Sequence, residues 1–467
     1  MASTTPTAAR RPAAWLDRIS LAGCMLAALF LCFLGGAWVV LAQVFPYPWL
    51  AQAYEGGMAL LAKETQYRDP YQTDFWKAVR SDAKGVTRYV PAKAQDGLTL
   101  YTSGDAARAS LVGMDGLEVH AWQLPYSAVW DDTSPIEDPQ PDAYIYWRKA
   151  KVYPNGDLLA VYVASGDSPW GYGLVRIDKD SRLLWKFLGQ AHHDVDVGAD
   201  GRIYALTHEI RDNSYQDFPQ LAVPRIDDFV EVLSADGELL KKVSIADALI
   251  RSPYARLLTR VAWYTKGDYL HTNGIDVVGP ELAAKLPVAA PGQVLLSFRE
   301  IDTIALLDLD QERIVWALRG AWLAQHDPDI LPDGNILLFD NLGRFLDDDG
   351  SDAEGGGGRS RILEIDPATL AITWQYAGTD DEPFDSDVRA SQQRLANGNT
   401  LITEETRGRI FEVTPDHEIV WEFVNPVRAE GRGADGGDMI PIVSWAQRID
   451  PASLDPDFLE RSSVADP

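Results

Sequence analysis

The chain has 467 residues, 46% of them hydrophobic and 10% aromatic, with a formal net charge of −27. Such a length allows one large domain or two to three small ones, and the apolar share suffices for a packed core. With 69 acidic against 42 basic residues, nucleic acid is excluded as a partner, and the acidic surface reads as a solubility feature.

Residues 19–54 contain no charged side chain, and 19–45 are almost continuously apolar, longer than the roughly 20 residues that cross a bilayer. Arg10, Arg11 and Arg18 precede this run, offset only by Asp17. That bias predicts a cytoplasmic N-terminus over 1–18, an uncleaved transmembrane anchor over 19–45 and everything later outside the cytoplasm. Trp38, Tyr47 and Trp49 suit the far interface. A cleaved signal peptide is the competing reading, but its apolar region runs to about 7–15 residues. The two cysteines, Cys24 and Cys32, both fall inside the span. The exported part therefore has no thiol, disulfide or Cys-ligated metal. Residues 46–84 read as a short helical or irregular neck.

From about residue 85 the chain is written in short β-rich runs broken by Asn155-Gly156, Asp200-Gly201, Asp236-Gly237, Asp333-Gly334 and Asn397-Gly398. Each dipeptide supplies the positive φ that a tight hairpin needs. A closing Trp recurs as Leu184-Trp185, Val315-Trp316, Thr373-Trp374 and Val420-Trp421, at periods of roughly 40–50 residues with four strands each, which indicate propeller blades. Trp at a fixed blade position is mainly packing between neighbouring blades. The fold class is thus all-β, a six-bladed β-propeller over 85–450 behind the N-terminal transmembrane helix. Blades are predicted near 142–190, 191–245, 270–319, 325–377 and 386–425, and the sixth combines 85–123 with 442–447. Residues 451–467 are left as a C-terminal tail. The acidic stretch from Asp347 to Glu354, followed by four glycines, reads as a flexible insertion; its spacing matches no full EF-hand loop.

His193 and His326 each lie seven residues before a turn Asp, in the related phrases His192-His193-Asp194 and Gln325-His326-Asp327. The same register holds Arg148 and Ala390. Seven residues after the turn glycine come Val163, His208, Asn341 and Glu405, and Arg299 falls level with Asn341 in the third blade, which opens His271-Thr272-Asn273. First strands of propeller blades line the central channel, so these side chains gather at its mouth. Several histidines suggest zinc first, but Arg299 and Arg148 disfavour a divalent cation. Guanidinium with neutral donors matches a tetrahedral oxyanion, among which a His can be a nucleophile toward sulfur or phosphorus. No Gly-x-Ser-x-Gly elbow or phosphate-binding Gly-Lys loop is present. Asp194 and Asp327 read as turn caps or tautomer holders, His120 and His417 as blade-exterior residues without a role, and Asp227-Asp228 as a solvated face.

Over roughly 140–425, the ordered set His192-His193-Asp194, His271-Thr272-Asn273, Ser297-Phe298-Arg299, Gln325-His326-Asp327 and Leu338-Phe339-Asp340-Asn341 resembles the bacterial arylsulfate sulfotransferase family. The resemblance implies a six-bladed propeller that moves a sulfuryl group from a phenolic sulfate to another phenol through a sulfohistidine, without a nucleotide sulfate donor. It implies His326 as nucleophile, with His193, His271, Asn273 and Arg299 holding the sulfuryl oxygens and passing protons. His192, His208, Asn341 and Arg148 are further candidate substrate contacts, and the repeat register favours His193 over His192 at the site. No cofactor and no metal are called for. The expected partners are a small aryl sulfate and a phenolic acceptor, at an anchored periplasmic domain on the cytoplasmic membrane; a homodimer is compatible with this. The anchor, the missing cysteines and the missing N-terminal β-domain depart from the family pattern. Two other readings stand beside it: a non-catalytic propeller scaffold of the envelope, and a metal- or quinone-dependent oxidoreductase. The complete His/Arg set argues against the first, and the pocket arginines with no thiol pair against the second.

Overall fold

The computed structural model describes residues 14–42, 44–47, 49, 69–221, 223–261, 267–343 and 360–462. The acidic insertion from Asp347 to Glu354, most of the N-terminal 1–18 segment and residues 50–68 of the neck lie outside the described residues. The chain divides into an N-terminal unit, 1–68, and a second unit, 69–467. Among the described residues, the first contains the helix Ala14–Ala42. Its apolar part, Leu21–Ala42, has 22 residues and at 1.5 Å per residue is about 33 Å long, enough to cross a hydrocarbon core.

The second unit is a six-bladed β-propeller of antiparallel sheets. Blade 1 runs Ile145–Val152, Leu158–Ala164, Gly171–Ile177, Leu183–Phe187 from channel to rim. Blade 2 is Ala191–Val197, Ile203–Arg211, Arg225–Leu233, Leu239–Ser244. Blade 3 is Thr272–Val277, Val294–Phe298, Thr303–Asp308, Arg313–Arg319, and blade 4 is His326–Ile330, Ile336–Asp340, Arg361–Ile365, Ile372–Ala377. Blade 5 is Gln392–Arg394, Thr400–Glu404, Arg409–Val413, Ile419–Val424. Blade 6 is closed from both chain ends, because the late strand Val443–Ile449 lies innermost against Leu98–Ser103, with Leu100 opposite Gln447.

One boundary differs from expectation. Gly85–Tyr89 does not join the closing blade but adds a fifth strand to the rim of blade 5, pairing with Ile419–Val424. Only the start of this strand is covered, Thr87–Tyr89 being exposed. Val86 packs on the cluster around Trp421 and Phe423, while Arg88 reaches Glu382 at 2.7 Å. A partly exposed strand fits an edge and not a sheet interior. The neck also has order, since Trp76–Ala78 pairs with Met439–Pro441. Nor do residues 451–462 hang free, because Phe458 is 2% exposed and packs on Trp122 and His120.

The core is a series of apolar layers between blades, fixed at the rim by indoles. Trp185 donates Nε1–H to Ala235 O at 3.1 Å, Trp374 to Pro415 O at 3.0 Å and Trp421 to Met114 O at 3.0 Å. Trp122 does the same for Gly156 O at 2.9 Å. Each bond joins one blade's outer strand to a turn of the next, as expected of packing residues. Near the channel, side chains of one blade bond the backbone of the next. Asp194 and Asp196 accept from Ile275 N and Val277 N, Asp276 from Ile330 N and Asp327 from Gln392 N, at 3.0–3.2 Å. Gln393 Oε1 accepts from Arg448 N at 2.7 Å, and Arg148 Nη1 donates to Ser444 O at 2.8 Å.

Gly237 illustrates how turn and packing agree. Its φ is +83°, and a Cβ there would sit 2.6 Å from Trp185 Cε3, whereas Gly201, at φ +80°, has nothing nearer than 3.9 Å. Both glycines avoid a left-handed penalty of about 1–2 kcal/mol, but only one also accommodates the neighbouring blade. Gly237→Ala should therefore lower the thermal midpoint clearly more than Gly201→Ala. Equal shifts would show that the blade contact adds nothing.

Candidate active site

The innermost strands are irregular where the candidate residues lie. Register breaks fall between Trp147 and Ala150, Ala191 and Val195, Thr272 and Gly274, and His326 and Asp329. A bulge releases successive residues from strict alternation and re-aims their side chains. His193, His271 and Asp327 have φ of 50°, 48° and 50°, a left-handed conformation that costs non-glycine residues free energy and concentrates at functional sites.

His326 is 2% exposed, and its Nδ1 faces two oxygens, Asn341 Oδ1 at 2.8 Å and Ala324 O at 3.2 Å. Asn341 cannot turn its amide, because Nδ2 donates to Ser386 O at 2.7 Å and Arg389 O at 3.1 Å. Two acceptors at Nδ1 require the proton there, which leaves Nε2 with a free lone pair. Burial first, then the guanidiniums of Arg299 and Arg148, hold His326 well below the usual histidine range. The ring is thus neutral at physiological pH, with its lone pair on Nε2.

The two arginines are held differently. Arg299 pairs with Glu300. Arg148 is 5% exposed and bonds Ser444 O, but among the described residues no carboxylate forms an ion pair with it. A buried guanidinium without a counter-ion is costly, and it sits beside a neutral imidazole: an arrangement complementary to an oxyanion. The next cation, Arg389, is already neutralised by Asp74 and by Glu405 at 3.2 Å.

His271 and His193 form the opposite side, with ring centroids 4.8 Å apart. Asp268 accepts from Nδ1 of His271, so Nε2 is the ring nitrogen that Asp268 leaves unengaged. Trp170 stacks on the His271 ring at 5.2 Å and 26°, and meets His193 and His208 edge-on. His193 Nδ1 lies 2.7 Å from His192 Nδ1. Asn273 is buried and spends an amide hydrogen on Gln325 O at 2.9 Å. Gln325 is itself a staple, with Nε2 donating to Ser297 Oγ, Phe298 O and Thr303 O.

His192, His208 and Asp228 lie behind this front, each with one donor atom within 4.8 Å of the others. They do not suit a metal ion. Gly171 N–H donates to His208 Nε2 at 3.0 Å, so the neutral ring carries its proton on Nδ1 and has no second lone pair. The His192 and His208 rings also stack at 4.3 Å and 20°, which makes their in-plane lone pairs run nearly parallel instead of converging. Asp227 and Asp228 are no solvated face, being 3% and 2% exposed. Asp227 binds Arg225 at 2.8 Å and the Tyr269 hydroxyl at 2.7 Å, and Asp228 accepts Thr272 N–H at 2.8 Å.

A family profile described as Arylsulfotransferase (ASST) matches residues 149–426. The chain belongs to the arylsulfotransferase family. As a member it carries a domain for aryl sulfotransfer, and small aryl molecules are its substrate class. No curated protein sequence matches the chain. Among solved structures it is similar to a Bacteroides caccae protein of unknown function, at 11% identity and TM-score 0.43, covering 75% of this chain and 98% of that one. A streptogramin B lyase is similar at 13% identity and TM-score 0.38, covering 80% and 98%. Virginiamycin B lyase from Staphylococcus aureus is similar at 10% and 0.31, covering 60% and 69%.

Three site residues gave little signal in sequence. Trp170 lies in an interstrand loop outside the blade register, Asp268 precedes His271 by three residues, and Asp228 was hidden in an acidic pair. Asn341 gave a signal as a substrate contact, whereas its amide here is engaged with His326, Ser386 and Arg389. Asn341→Leu should therefore lower kcat for aryl sulfate turnover by about 10–100-fold with KM little changed, and lower the thermal midpoint. A raised KM at unchanged kcat would instead put Asn341 on the substrate.

Proposed function

We propose that the protein transfers a sulfuryl group from an aryl sulfate to a phenol through a sulfohistidine at His326. The observation that supports this best is the unpaired, buried Arg148 together with Arg299 beside a His326 ring whose Nδ1 proton is locked in place. Nε2 attacks sulfur, the S–N bond forms as the S–O bond to the leaving phenol breaks, and the two guanidiniums balance charge on the sulfuryl oxygens. A phenolic acceptor then attacks the same sulfur and restores the imidazole. In this reading His193 and His271 deliver protons to phenolic oxygen and take them from it. A non-catalytic scaffold has no reason to retain a buried guanidinium that no carboxylate pairs directly, which costs stability.

We further infer that the helix Ala14–Ala42 anchors the protein in the cytoplasmic membrane. Arg10, Arg11 and Arg18 keep the N-terminus inside, with the propeller on the outer, periplasmic side. Sequencing the mature N-terminus checks this: an intact start is expected, and a start near residue 43 would replace the anchor with a signal peptide.

With 4-nitrophenyl sulfate and phenol varied together, initial rates should give parallel double-reciprocal lines, since one imidazole serves both half-reactions. His326→Ala should abolish transfer, and Arg299→Lys should cost about 10²–10³ in rate by losing the planar fork. Intersecting lines, or dependence on a nucleotide sulfate, would exclude this mechanism.

A further inference from the structure

Behind the front of the site, Asp228 and His192 extend a row of titratable atoms that ends at His193 in the site, with the gap between Asp228 and His192 longer than a hydrogen bond. Asp228 Oδ1 lies 3.6 Å from His192 Nε2, and His192 Nδ1 lies 2.7 Å from His193 Nδ1. Among the described residues, His192 Nε2 and His208 Nδ1 have no hydrogen-bond partner, although both are shut off from solvent. His193 is the half-buried member of the line, and its Nε2 is the end that remains for the site. Resting on the sulfuryl-transfer reading above, we propose that Asp228 is the proton reservoir of the reaction. It is a positioning residue that acts through His192 on His193, and His193 exchanges the proton with phenolic oxygen.

The balance closes over a full turnover. At the start Asp228 holds a proton toward His192 Nε2, His192 donates Nδ1–H to His193 Nδ1, and His193 carries its proton on Nε2. As the S–O bond breaks, that Nε2 proton passes to the departing phenolate. His193 takes the His192 Nδ1 proton, and His192 takes the Asp228 proton. The carboxylate so formed receives Thr272 N–H and faces His208, whose Nδ1 must bear hydrogen because Gly171 N–H occupies Nε2. When the acceptor phenol attacks the sulfohistidine, its proton returns along the same line. No outside acid, base or metal is needed.

The surroundings set a suitable poise. Asp228 is pushed up to about 7, by burial first and by Asp268 next, with Thr272 and His271 opposing. His192 is pushed down to about 3 by burial first and His271 next, and burial likewise holds His193 and His208 well below the usual histidine range. Asp268, bonded to His271, is held below the ordinary carboxylate value by that partner against its own burial. Two neighbouring carboxyl groups driven in opposite directions are the usual mark of separate acid and base roles. Imidazoles that resist charging relay a proton without storing it.

The test uses the full-length protein, phenyl sulfate as a donor with a poor leaving group and 4-nitrophenyl sulfate as one with a good leaving group. Asp228→Asn can keep the Thr272 contact but has no proton to give. It should lower kcat/KM for phenyl sulfate by on the order of 10²–10⁴, and for 4-nitrophenyl sulfate by less than about tenfold. The wild-type phenyl sulfate profile should fall as pH rises through about 7, because the protonated carboxyl is the active form, and this limb should vanish in the variant. His192→Gln, which interrupts the line without touching Asp228, should reproduce the leaving-group discrimination and serves if the first variant does not fold. Equal losses on both donors, or no loss on phenyl sulfate, overturn the relay. Wild-type protein inert toward both donors overturns sulfuryl transfer itself, and the infrared carboxylic-acid band near pH 6 then judges the carboxyl separately: its presence in wild type and loss in Asp228→Asn support a proton held there, and no difference overturns it.

Discussion

At four of the six junctions between innermost strands, side chains of one blade accept the next blade's backbone N–H, and Lys149 and Lys151 join blade 1 to Asp194 and Asp196 of blade 2. Asp194 and Asp196 hold blade 3, Asp276 holds blade 4, Asp327 holds blade 5 and Gln393 holds blade 6. The ring closes through Arg148 and Ser444. A propeller blade alone has exposed edges, so its neighbours must fix it, and these bonds do so at the radius where a small shift would matter most. They carry an electrostatic cost. Burial and mutual repulsion push Asp276 up to about 7, with Asp196 the next cause after burial, and push Asp327 up to about 6. Lys149, 2.5 Å from Asp194, offsets part of it.

Because the strands are pinned below the mouth, they can be irregular at the mouth. The bulges and the positive φ values of His193 and His271 each store on the order of 1 kcal/mol or more, and the ring of interblade bonds over-determines them. The result is a set of imidazoles with assigned protons. Asn341 and Ala324 fix His326, Asp268 fixes His271 and Gly171 fixes His208. In a site made of five histidines, the tautomer of each decides whether it is a nucleophile, an acid or a spectator.

Much of this was legible in the sequence, and the reasons are physical. Asn-Gly and Asp-Gly dipeptides need positive φ, so they marked the hairpins, and Trp185, Trp374 and Trp421 marked the rims because an indole spans two blades. His326, His193 and Arg148 shared one register, and the channel geometry turned that register into a site. What stayed hidden was determined by tertiary partners. Asp227-Asp228 reads as surface until Arg225, Tyr269 and Thr272 are seen to bury it. Gly85–Tyr89 reads as any short strand until its exposed residues assign it to an edge. Trp170 belongs to a loop with no repeat to announce it, and Asn341 could be placed at the mouth but not given its orienting role without Ser386 and Arg389.

The central claim is that His326 Nε2 receives the sulfuryl group. Mixing enzyme with aryl sulfate in the absence of acceptor, quenching under alkaline conditions and mapping the modified peptide by mass spectrometry tests it directly. The account predicts one sulfuryl group per chain, on His326, with an equal amount of phenol released. An adduct on His193 or His271, or steady turnover with no adduct at all, would contradict it.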